Sequence, residues 1–131
     1  MNAPVPLSVI VRTADLRDAR ECARIDAFAT ETDGGTIFHR PQWSLAVERG
    51  CGQRAHYLVA ERGGALIGCL PLTAIRSRLF GNAMVSAGFG TGGGIIGDGA
   101  DRLADAAWEI AATSGCATVE LRGGPVPDGW Q

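Results

Sequence analysis

The chain has 131 residues and a net charge of −2; all twelve of its basic residues are arginine, and its 19 glycines are about twice the usual share. A chain of this length builds one domain around a single core, so residues 1–131 are expected to form one unit. The absence of lysine excludes a phosphate-loop lysine and a Schiff-base lysine, and the weak net charge argues against indiscriminate nucleic-acid binding, so no DNA partner is expected.

After a Pro-containing lead, "SVIVRT" (8–13) is rich in β-branched residues and predicts a first strand. Thr13 or Asp15 is placed to cap a helix running to about Thr30, with Leu16, Ala19, Cys22, Ala23 and Ala29 near one face. "TDGG" (32–35) stops it. In "TIFHRPQWSLAVERG", Pro41 suits the first turn of a second, short helix ending at Gly50, with Trp43, Leu45, Ala46 and Val47 as its apolar surface.

The period then changes. "AHYLVAER" and "ALIGCLPLTAIRS" are strand-like runs joined by Gly63 and Gly64, a hairpin signal because a tight primed turn needs positive φ at both positions. Pro71 lacks an N–H and so suits an edge position or a bulge. "RSRLFGN" makes the next turn, and "AMVSAGF" returns as the third strand of a meander. Beyond a glycine cluster, Leu103, Ala106, Ala107, Ile110 and Ala111 mark a helix ending at Gly115, and "ATVELR" closes as a strand. The expected order is strand, helix, helix, three antiparallel strands, helix, strand.

The glycine cluster holds seven glycines among the twelve residues 88–99 and matches G-x-G-x-x-G twice. In a run so dense in glycine the match has little meaning. The helix signal starts only near Gly99, and Asp98, Asp101 and Asp105 already occupy the positive end of that helix, which disfavours a dinucleotide phosphate there. An acyl-coenzyme A site would use the same strand, loop and helix, but the usual arginine or glutamine opening of that coenzyme loop is missing.

His39 could act as a base near neutral pH and Arg40 could clamp an anion; with no identifiable partner for His39, "HRP" also reads as a solvated lead-in to a helix. His56 reads as structural, and Arg76 and Arg78 as a charged hairpin end. Ser86 lacks the surroundings of a nucleophile, and Glu109 and Glu120 lack an acid/base partner. Trp43, Phe80, Phe89 and Trp108 are expected to pack in the core. Cys22, Cys51, Cys69 and Cys116 are widely spaced without a C-x-x-C pair, so neither a metal site nor a disulfide framework is expected, and three of them (22, 69, 116) read as small buried hydrophobes. No apolar run reaches the length of a membrane span, and the start "MNAPVPLSVIVRT" lacks the basic and apolar regions of a signal, which together point to the cytoplasm.

At "FHRPQW", "YLVAERGGALIGCLPLTAIRSRLFGNAMVSAGFGTGGGI" and "VELRGG" the chain resembles the amino-terminal half of FemAB-family proteins, in the branch associated with exosortase (PEP-CTERM) and exopolysaccharide systems. The resemblance implies an α/β (α+β) architecture of GNAT-like (N-acetyltransferase) type: a mixed, mostly antiparallel sheet flanked by helices. It implies transfer of acyl or aminoacyl groups to an amine, with acetyl-coenzyme A or an aminoacyl-tRNA as donor and a small molecule or cell-envelope precursor as acceptor. Family members place their cleft across two such domains, and this chain has one. The expectation is therefore a half-site contributing acceptor contacts through Thr91, Gly92, Gly93 and Gly94, with His39 and Arg40 beside them and no catalytic residue assigned. Two other readings stand beside it: a self-sufficient small acetyltransferase using acetyl-coenzyme A, and a non-catalytic domain that forms a homodimer through the surface a second half would cover.

Overall fold

The computed structural model describes residues 8–79, 81–88, 90 and 92–130; Phe80, Phe89 and Thr91, singled out above, lie outside them. In chain order the elements are β1 (Val9–Thr13), α1 (Ala19–Glu31), a 3-10 turn (Ile37–His39), α2 (Pro41–Cys51), β2 (Arg54–Arg62), β3 (Ala65–Ser77), β4 (Gly81–Ser86), β5 (Ile96–Gly97), α3 (Ala100–Thr113) and β6 (Thr118–Glu120). The sheet runs β1-β2-β3-β4-β6, with β5 pairing β3. Neighbours are antiparallel except β6, which lies parallel to β4 after the α3 crossover.

Both faces of the central strands are covered, which is why β2 and β3 read as continuous apolar runs. Leu58, Ala60, Leu70, Leu72 and Ala74 point to one face, where Leu103, Ala107 and Ala111 of α3 meet them. Tyr57, Val59 and Cys69 point to the other, against Ile25 and Ala29 of α1. On the outer side of α1, Glu61 of β2 takes Arg12 of β1 at 2.6 Å and Arg24 of α1 at 2.8 Å, tying the helix to the sheet edge.

Several local expectations are refined. The N-cap of α1 is Asp18, whose carboxylate accepts from the Arg20 N–H at 2.9 Å; Thr13 ends β1, and Asp15 caps only a turn, through the Arg17 N–H. The buried face of α1 consequently runs through Ile25 and Ala29, and Ala19 and Ala23 are exposed. Pro41 does open α2, which runs one residue past Gly50 and is stopped by Gly52 in the left-handed region at φ 67°. Gly63 and Gly64 turn the hairpin with φ 57° and 80°. Trp108, expected in the core, is 45% exposed, because the sheet-facing stripe of α3 is Leu103, Ala104, Ala107 and Ala111; its ring instead leans on Trp130 at 5.7 Å. Cys69 and Cys116 are buried, Cys22 is half-buried and Cys51 is exposed, all as free thiols. Among the described residues no helix is long and apolar enough to cross a membrane.

Pro71 sits in the middle of a long central strand, where a missing N–H should break a ladder. It does not, because the neighbour on that side is interrupted. β4 ends where Ser86 faces Leu72, and β5 begins where Ile96 faces Cys69. The two pieces share one line along β3, and the described residues between them, 87, 88, 90 and 92–95, leave it as an excursion. The Pro71 carbonyl accepts from the Ala87 N–H at 2.7 Å at the start of this gap; since a strand residue aims its N–H and C=O the same way, the absent donor would face the gap itself.

Candidate functional site

The described residues of the excursion are held at several points. Ala87 turns the chain in the left-handed region at φ 44° and accepts from the Gly90 N–H at 2.8 Å. The Gly88 N–H donates to Thr73 Oγ1 of β3 at 3.1 Å, and the Gly88 carbonyl accepts from the Trp43 indole at 3.1 Å. The Gly90 carbonyl accepts from the Arg122 guanidinium at 3.1 Å, and the Gly94 carbonyl from the His39 ring at 2.7 Å. The Phe38 ring meets Trp43 edge-on, with centroids 4.8 Å apart, and covers the glycine backbone so closely that a Cβ at Gly90 would come within 2.8 Å of it. A Cβ at Gly94 would collide with the Gly123 carbonyl. Side-chain removal is thus required here by close approach of backbone to ring and of backbone to backbone. Phe38, His39 and Trp43 hold the glycine run, so two sequence motifs far apart in the chain form one clamp.

The hydrogen bonds of His39 fix its tautomer. The Thr36 N–H donates to Nδ1 at 3.0 Å, so Nδ1 is an acceptor and the ring proton sits on Nε2, which donates to Gly94. Thr36 also caps the 3-10 turn, accepting from the Phe38 N–H at 3.1 Å. The ring is 2% exposed, and this burial pushes its pKa below the ordinary histidine value. Beneath it, the Tyr57 hydroxyl donates to the His39 carbonyl and also meets the Cys69 sulfur at 3.3 Å. Burial raises the Tyr57 phenol well above its ordinary value and pushes the Cys69 thiol up to about 12, so both stay neutral.

A cavity of about 360 Å³ opens between three segments: the turn after α1, with Asp33, Gly34, Thr36 and His39; residues 92–97; and residues 123–125 beyond β6. It lies where β4 and β6 stop pairing. Their ladder ends at Val85 and Glu120, after which the Arg122 N–H donates to the buried Ser86 hydroxyl at 2.7 Å. Among the described residues Asp33 is the one acidic residue of the lining, which includes no arginine and no residue of α3; most of the remaining wall is glycine. The cavity accordingly offers a ligand mainly backbone amide and carbonyl groups, with one acidic residue in its lining.

Of the residues singled out from the sequence, the fold brings His39, Gly92, Gly93 and Gly94 together around this cavity. Arg40 turns away and pairs with Asp26 of α1 at 2.6 Å and 3.1 Å, lowering the Asp26 pKa. Thr91 lies outside the described residues. Arg76 ends its hairpin on the Ser114 carbonyl at the C-terminus of α3, at 2.9 Å. Asp33, Thr36, Gly123 and Gly124 were not anticipated at a site: "TDGG" reads only as the stop of a helix, "VELRGG" carries only the family resemblance, and Thr36 has no signal of its own.

No protein-family model matches the chain, and no curated protein matches it by sequence. Solved structures do match in fold. A GNAT family acetyltransferase of Staphylococcus aureus superposes with a TM-score of 0.60 at 12% identity, over 91% of this chain and 89% of that one. A ribosomal-protein-alanine N-acetyltransferase of Brucella melitensis gives 0.60 at 19% identity, over 92% and 84%. A predicted acetyltransferase of Clostridium acetobutylicum, solved with acetyl-coenzyme A, gives 0.51 at 12% identity, over 95% and 94%. The mixed sheet with α1 and α2 on one face and α3 on the other is therefore a GNAT acetyltransferase fold.

Proposed function

We propose that this chain is an acyl- or aminoacyltransferase-like domain of FemAB type, the amino-terminal half of a two-domain site, working in cell-envelope or exopolysaccharide synthesis and binding the amine acceptor. The observation that carries the reading is the glycine-walled cavity with Asp33 as the one acidic residue among its described lining. An acidic residue in the lining of a cavity with no arginine favours an ammonium group. Gly92, Gly93, Gly94 and His39, with Thr91 adjoining in sequence, form the wall against which the amine is held. The chemistry asked of such a site is orientation: the amine, once deprotonated, attacks an activated acyl ester, and its placement supplies the rate advantage. The donor is an aminoacyl-tRNA or acetyl-coenzyme A.

The test is an amide NMR titration of the chain with glycinamide, a small primary amine. Shifts confined to Thr36, residues 92–97 and residues 123–124, and lost in Asp33→Asn, are expected. Absence of shifts in that set overturns the acceptor reading.

A second reading, a small acetyl-coenzyme A-dependent N-acetyltransferase, is favoured by the fold likeness to the acetyltransferases above, one of them solved with acetyl-coenzyme A. It requires saturable heat on titration with acetyl-coenzyme A, and no heat at millimolar coenzyme overturns it.

A further inference from the structure

We infer that Tyr57 and His39 form a positioning relay that carries the rigidity of the sheet to the cavity wall, and that His39 is not the proton acceptor for an incoming amine. The Tyr57 side chain, 1% exposed between β2 and α1, is anchored in the core. Its hydroxyl holds the His39 backbone carbonyl, and the His39 ring holds the Gly94 carbonyl across a separation of 55 residues. Gly94 also lies against the Gly123 backbone, whose carbonyl a Cβ at position 94 would strike, so two partners constrain its place.

The same geometry removes His39 from acid/base work. A base needs a lone pair aimed at the substrate. The Nδ1 lone pair is taken by the Thr36 N–H, with Thr36 Oγ1 also 3.0 Å away, and Nε2 carries a proton committed to Gly94. To accept a proton the ring would have to release one of these bonds while remaining buried. Deprotonation of an acceptor amine therefore falls to a group other than His39. The dependence of the relay on ligand binding rests on the acceptor reading above; the relay itself does not.

Nitrogen NMR of the His39 ring tests the geometry directly. A neutral ring with Nε2 protonated and Nδ1 bare is expected at pH about 7; an Nδ1-protonated tautomer or an imidazolium overturns the relay. A variant pair separates its two bonds. His39→Asn places an acceptor near the Thr36 N–H but falls short of Gly94; His39→Gln reaches Gly94 with a donor. Amide exchange in residues 92–95 should accelerate in His39→Asn and return toward wild type in His39→Gln. Equal exchange in the two variants overturns the relay. Glycinamide binding should weaken about five-fold in His39→Asn and recover in His39→Gln, at matched thermal stability. Undiminished binding in His39→Asn shows that the wall position does not matter to the ligand. Should His39→Asn fail to fold, Tyr57→Phe serves: it keeps the tautomer and must raise exchange in residues 92–95 if the relay holds. Failure of glycinamide to bind the wild-type chain removes the acceptor reading alone, since ring nitrogens and amide exchange judge the relay without a ligand.

Discussion

The two neighbouring glycines at 92 and 94 do different work. A Cβ at Gly92 would make only ordinary contact with Phe38, at 3.5 Å, while one at Gly94 would run into backbone. Gly92→Ala is expected to stay within about 1 kcal/mol of wild type and Gly94→Ala to lose more than about 2 kcal/mol; urea titration of the pair checks this. His39 gives a pH prediction whose sign follows from burial. Its folded pKa lies below the ordinary value, so the unfolded chain takes up a proton first as the pH falls. The contribution of the neutral ring is complete above about pH 7 and declines through about 6.5 toward the folded pKa. Stability measured at steps across that window should fall in wild type and fall less steeply in His39→Asn, with His56, also lowered chiefly by burial, leaving a residual slope of the same sign. At this scale the sequence singled out a histidine and three glycines that the fold brings around one cavity. It could not tell ligand contact from bracing, because the partner of His39 lies 55 residues away.

Among the elements, β3 makes the sharpest test. Pro71→Ala restores an N–H that faces the gap between β4 and β5, so no ladder bond is gained and a change within about 1 kcal/mol is expected. Cys69→Pro, two residues earlier, strikes the position paired with Ile96 and should be far more damaging. Comparable midpoints for these two variants on thermal melting would show that the strand is not interrupted where described. The hairpin at Gly63 and Gly64, the proline start of α2 and the late start of α3 were legible because each rests on the conformational preference of one or two residues. The buried face of α1 was not. Asp18 caps the helix later than the alternatives Thr13 and Asp15, and the stripe through Ile25 is chosen by what the sheet offers it. Trp108 fails as a core residue for the same reason: the sheet meets small residues of α3 and leaves the large ring outside.

For the molecule as a whole, a sheet covered on both faces puts its stability in the central strands. Leu72, 1% exposed against α3, should lose about 2–5 kcal/mol on replacement by alanine, read from chemical denaturation. The sequence by itself determined the order of the main strands and helices, β5 excepted, the apolar runs of β2 and β3 and the tight hairpin. Those follow from local periodicity and from backbone preferences that need no distant partner. Only the tertiary structure decided that "FHRPQW" clamps the glycine run, that Pro71 faces a gap, that Arg40 leaves the site for Asp26 and that Asp33 lines one cavity with residues 92–97. Each of those depends on chain closure bringing together residues with no local signal of one another. The Trp43 to Gly88 bond spans 45 residues, and the Arg122 to Ser86 bond 36. A glycine run has no side chains to announce its partners, so what braces it becomes visible only when the surrounding rings and carbonyls are in place.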